Sequence, residues 1–170
     1  MPGTGRAGRG GAALVGAEPP RPGPAPSRED GQKLLDRPFD AGTLQVLRAA
    51  VREFAAGAGM RPRRAGDVMI AVHELAANAV WHGAGTGRLR MWTAARALCC
   101  QVDDAGRPGQ RGRAGDGGQQ ITGTGRAERG AWPVQPGHGL WLTRELADQL
   151  NITCGPDGSR VTAVFTLHPR

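Results

Sequence analysis

At 170 residues the chain has room for one compact domain. Three Cys, two of them adjacent (Cys99, Cys100), make neither a disulfide framework nor a spaced zinc cluster, and no apolar run approaches the roughly 18 residues of a membrane span. The net charge of +7 comes almost wholly from Arg and forms no continuous basic stripe, which argues against a nucleic-acid partner.

The first stretch, residues 1–33, is dense in Gly, Pro and Arg and reads as a disordered tail. Its short apolar run from Gly11 to Ala17 is too brief and too Gly-rich for a signal peptide. A reduced, cytoplasmic protein is therefore expected. The folded domain is expected over residues 34–168.

From Leu44 the pattern turns helical: Leu44, Leu47, Val51, Phe54 and Ala58 share one face. Asp40 or Thr43 can cap the start, and Gly57 and Gly59 mark the end. A basic turn, Arg61 to Arg64 around Pro62, leads to a second helix from about Asp67 to His82. Its buried stripe is Val68, Val72, Leu75 and Ala79, and Gly83 stands where a left-handed cap is wanted. Gly87–Thr93 and Leu98–Val102 then read as a hairpin turning at Ala94–Arg96, with the second strand ending at Asp103-Asp104-Ala105-Gly106. Residues 107–136 are rich in Gly, Arg and Gln and read as a structureless lid. A third helix carries Leu142, Leu146 and Leu150. A strand follows from Asn151 to Cys154, and a last one from Arg160 to Leu167 places Val161, Ala163 and Phe165 on one face and Thr162 and Val164 on the other. The expected fold is α+β, a two-layer sandwich with helices on one face of a mixed, mostly antiparallel sheet.

Three polar signals carry chemistry. Glu74, Asn78 and His82 lie four residues apart and form one ridge of the second helix. There Asn can ligate Mg²⁺ among phosphate oxygens, and Glu can deprotonate or orient a nucleophile. A solvated helix flank would carry the same residues. A zinc-protease helix is excluded because Ala77 occupies the second His position of HExxH, and a Walker A loop is excluded because Lys33 lies between Gln32 and Leu34. The second signal, Asp104-Ala-Gly106 at a strand end, offers a carboxylate for an amino group and a Gly that lets the backbone approach a flat ring. A simple turn would look alike. The third, Gly137-His-Gly139 opening a helix, presents amides to phosphate oxygens.

The order of these signals resembles a known family. Glu74-Leu-Ala-Ala-Asn78-Ala-Val-Trp-His82-Gly83 is similar to the N box of the GHKL, or Bergerat-fold, ATPases. Asp104-Ala-Gly106 resembles the first glycine box and Gly137-His-Gly139-Leu140 the second, with a variable lid between. The small size and the ELxxNAVxHG form resemble the anti-sigma factor serine kinases of actinobacteria. The resemblance implies the Bergerat ATP-binding fold, with ATP and Mg²⁺ as cofactors. Asn78 would bind the Mg²⁺ that bridges the phosphates, and Glu74 would act as catalytic base toward a protein hydroxyl or water. His82 would stand near the phosphates. Asp104 would recognise adenine with Gly106 lining the pocket, and Gly137, Gly139 and Leu140 would form the phosphate-side turn. Thr162 would contact the adenine side from the last strand. The pattern departs at Pro108, which takes the second Gly position of the first box, and at Asp103, a second acid beside Asp104. The implied partners are a sigma factor or an anti-sigma factor antagonist, the latter phosphorylated on Ser or Thr to control transcription by partner switching; small members often form homodimers. The alternative is a non-catalytic, nucleotide-responsive binding module of the same fold.

Overall fold

The computed structural model describes residues 25–27, 34–106, 119–124, 139–155 and 157–167. A strand that the helical periodicity does not announce, β1 (Leu34–Asp40), pairs along its length with β2 and buries Phe39. Pro38 is tolerated because β1 is an edge strand. Asp40 and Thr43 then bind each other. The Asp40 N–H donates to Thr43 Oγ1 at 2.8 Å and the Thr43 N–H to Asp40 Oδ1 at 3.0 Å, which turns the chain into α1 (Leu44–Gly57). Thr43 is the cap residue, but its side chain makes no cap hydrogen bond to α1; with Asp40 it closes the turn before the helix instead. α1 buries Leu44, Leu47, Val51 and Ala55, and Gly59, at φ 83°, reverses the chain after it.

α2 (Pro62–Trp81) begins earlier than the expected Asp67. Arg61 caps it in an extended conformation and Pro62 takes the first helical position, where a missing N–H leaves nothing unpaired. The Arg61–Arg64 segment is therefore mostly helix, not a separate turn. The whole expected stripe is buried, and Ala71 and Ala76 are buried beside it. The hairpin of β2 (Thr86–Ala94) and β3 (Ala97–Asp104) turns at Ala95 and Arg96, both left-handed at φ 49° and 62°, the twist that two-residue hairpin turns prefer.

Inside the stretch expected to be a structureless lid lies β4 (Gln119–Thr124), paired with β5 (Gln149–Gly155) so that Ile121 faces Ile152 across the ladder. The other residues of that stretch lie outside the described residues, as do 1–24 and 28–33 of the expected tail. α3 (Gly139–Leu146) is shorter than the leucine spacing implies. Its last turn closes with the Ala147 N–H on the Thr143 carbonyl, and the next amide, Asp148, already bonds Val164 of β6 (Gly158–Thr166). Leu150 is consequently a fully buried strand residue.

The six strands run in the order β1-β2-β3-β6-β5-β4. Every described pairing is antiparallel, so the mixed character expected for this sheet is absent among the described residues. Alternate strand residues (Leu89, Met91, Leu98, Cys100, Val102, Val161, Ala163, Phe165) form one core with the helices, which gives the expected two-layer α+β sandwich. Burying each of the larger ones stabilises the fold by about 1.5–3 kcal/mol. No described helix is long and apolar enough to cross a membrane.

Candidate functional site

α2 and α3 pack antiparallel, and three contacts fix the seam. The fully buried Thr143 hydroxyl shares its one proton between the Ala71 carbonyl across the seam, at 3.3 Å, and the Gly139 carbonyl of its own helix, at 3.0 Å. Arg64 donates to the Leu146 carbonyl at 2.6 Å and reaches Asp148 at 2.8 Å. At the other end Gly139 sits against the polar ridge: a Cβ placed there would lie 2.6 Å from Glu74 Oε2, 2.9 Å from Glu74 Cβ and 3.3 Å from Asn78 Nδ2. The small side chains of α2 let α3 approach, and its N-terminus arrives beside Glu74 and Asn78. Two expected site residues of α2 and one of α3 therefore meet in one place.

The first-turn amides of α3 have no partners within the helix, so this end carries partial positive charge. Leu140 turns its side chain into the core, so what it offers the site is its N–H. Gly137 lies outside the described residues. The ridge thus provides a carboxylate and a carboxamide oxygen, and α3 provides amide donors. That is a donor set for a metal–phosphate group, with Asn78 as the expected Mg²⁺ ligand.

α2 ends at Trp81, and His82, exposed, follows as its cap with its N–H on the Asn78 carbonyl. Gly83 comes next and is not left-handed; the left-handed residue is Gly85, at φ 85°. The reason for glycine at 83 is close approach, since a Cβ would meet the Ala79 carbonyl at 2.5 Å and Asp104 Oδ1 at 2.8 Å. Asp104 is therefore held against the C-terminal end of α2, past the Glu74–Gly139 contact. Its Oδ1 accepts from the Gly106 N–H at 2.7 Å, and its Oδ2 accepts from the Ser159 hydroxyl. Gly106 is left-handed at φ 68° and lies against Gly158, whose own φ is 121°. A side chain on Gly158 would collide with the Asp104 carbonyl. Each carboxylate oxygen keeps a lone pair for an external amino group.

Strand alternation separates the two neighbouring acids. Asp104 shares the helix-facing side with Cys100 and Val102, whereas Asp103 faces the other way. There it accepts from Arg160 at 2.5 Å, from Gln101 at 2.7 Å and from Arg90, and is committed to structure. The same alternation corrects the expectation for Thr162. Its neighbours Val161 and Ala163 belong to the helix-side core, so Thr162 is buried on the opposite face, between Gln101 and Asn151 in register. It stands on the sheet face opposite the Asp104 side chain.

Sequence reading missed Ser159, Gly158 and Thr143, and the structural reason for Gly83. Gly83 carried a signal, which was attributed to a helix stop. Ser159 and Thr143 carry none, since one hydroxyl among many is not distinctive before strand and helix partners are known. Burial pushes the Cys99 thiol up to about 12 and Cys100 well above its ordinary value. Cys154 is raised by burial and by the nearby Asp104 carboxylate.

A two-layer α+β domain with a polar helix ridge, a second helix starting against it and a strand-end Asp has the layout of a nucleotide-binding domain of the Bergerat class. The sequence profile of the histidine kinase-like ATPase domain matches residues 38–165, most of the chain, and the protein belongs to that family. No curated protein matches the chain. The domain is an ATP-binding one.

Proposed function

We propose that this ATP-binding domain is a regulatory protein kinase of the anti-sigma factor type, which phosphorylates a partner-switching antagonist on Ser or Thr. The observation that carries the reading is the meeting of Glu74 and Asn78 with the N-terminus of α3. From Glu74 the helix runs on to Trp81, a rise of about 10.5 Å, and Asp104 stands past that end against Gly83. Asp104 would accept from the adenine amino group, with Gly106 letting the backbone lie close to the ring. The Gly139 and Leu140 amides would hold phosphate oxygens, whereas His82, exposed beside Gly83, would stand toward the Asp104 end. Asn78 would ligate Mg²⁺, which when bound neutralises phosphate charge. Glu74 would take the proton from the attacking hydroxyl. The three free thiols fit a reducing, cytoplasmic setting.

The test is transfer of labelled phosphate from ATP, with Mg²⁺, to an antagonist protein encoded beside this one. Glu74→Gln is expected to lower transfer by about 10²-fold or more while nucleotide still binds. Asp104→Asn is expected to weaken ATP binding, and Asp103→Asn to leave it unchanged, as measured by calorimetry. ATP binding without transfer in the wild-type protein would favour the non-catalytic module instead.

A further inference from the structure

The outer face of the sheet, away from the helices, is crossed by rows of paired residues that are mostly polar. One row holds Asp36, Arg90, Gln101, Thr162 and Asn151, and the next holds Arg88, Asp103 and Arg160. Ion pairs link Asp36 to Arg88 and Arg90, and Asp103 to Arg90 and Arg160. A third row is apolar: Trp92 pairs with Cys99, and Cys99 with Val164. In a two-layer fold such a row should be open to water, yet these residues are 3%, 0% and 6% exposed. Ala25 packs against this cluster, and the Trp92 indole N–H donates to the Pro26 carbonyl at 3.2 Å.

We propose that this stripe is a docking groove for a proline-rich extended segment, and that the chain's own arm around Ala25–Ser27 occupies it in cis. The chemistry of the arm fits such a groove. Pro24 and Pro26 have no N–H, so what the segment offers a donor on the sheet face is its carbonyls. Indole Nε1–H is a pure donor and reads a carbonyl. Ala25 is small enough to lie flat on the row, and its position before a proline favours extended backbone. The tether argues for the cis arrangement. Only residues 28–33 separate Ser27 from Leu34, and Leu34 is itself the β1 partner of Trp92. So short a link gives the arm a high effective concentration over its own groove. The three described residues of the expected disordered tail are thus a strap on the surface opposite the α2–α3 seam, and its release uncovers a second binding face.

The experiment uses the full chain and reads iodoacetamide alkylation at each cysteine by peptide mass spectrometry. Ala25→Asp puts a charge against the apolar row and lies outside every strand and helix. Cys99 is expected to react about tenfold faster or more in A25D, with Cys100, on the core side, unchanged. A synthetic peptide spanning Glu18–Asp30, added to A25D, is expected to restore the protection. Equal Cys99 rates in A25D and wild type would overturn the proposal. So would acceleration at Cys100 as well, which would mean a loosened sheet rather than a released arm. Protection of the wild type that fades on dilution would assign the groove to the arm of a second copy and would also overturn it.

Discussion

Gly139 has no side chain because Glu74 occupies the space one would need. The clash of a Cβ would be with Glu74 Cβ as well as with its carboxylate tip, so rotating the tip does not relieve it, and α3 must shift. Gly139→Ala is therefore expected to weaken ATP binding by about tenfold, or about 1.4 kcal/mol, and to lower thermal stability, as followed by calorimetry and melting. Much of this pocket was legible beforehand. A ridge of Glu74, Asn78 and His82 is a consequence of helical period, and a glycine at a helix start is an overt signal. Thr162 was not legible, because a shift of one residue in a strand exchanges its two faces. Nor was the reason for Gly83, since only the approach of Asp104 from a distant strand excludes a side chain there.

Among the elements, α2 organises the helical layer. Its first turn holds Arg64, which bonds the Leu146 carbonyl, pairs with Asp148 and Asp67, and lies over the Phe165 ring at 5.1 Å. One side chain so ties the start of α2 to the end of α3 and to β6. Arg64→Ala is expected to destabilise the fold by about 1–3 kcal/mol, read by urea denaturation. ATP affinity should fall as well, because the N-terminus of α3 loses its far anchor. Arg64→Lys should recover only part of either, having no planar fork. The strongly periodic elements α1, α2 and the β2–β3 hairpin were readable. β1 was not: Leu-Leu-Asp-Arg-Pro-Phe-Asp lacks alternation and contains Pro38, and only pairing with β2 makes it a strand. β4 was hidden for the same reason, within Gly- and Gln-rich sequence.

At the scale of the whole molecule, the central strand β3 buries thiols toward both layers, Cys100 into the helix-side core and Cys99 under the outer face. An unfolded thiol ionises near 9.0, whereas Cys99 in the fold does so only near 12. Between those values the folded chain holds more protons than the unfolded one, so stability falls as pH rises, and below them it is indifferent to this group. Melting temperature should stay level to about pH 9 and then drop by about 5 °C or more toward pH 11. Cys99→Ala should reduce that drop, as differential scanning fluorimetry across the range would show. The pairing of β3 with β6 has a further consequence for biosynthesis. Asp104 meets Ser159 only after Gly158–Thr166 has left the ribosome. A nascent chain that stops short of that strand has the α2 ridge but an unsupported Asp104 carboxylate and an open edge on β3. With Asp104 in its proposed role, nucleotide therefore rewards only a chain in which β6 has been made, and a product stalled before it would be left to chaperones and proteases.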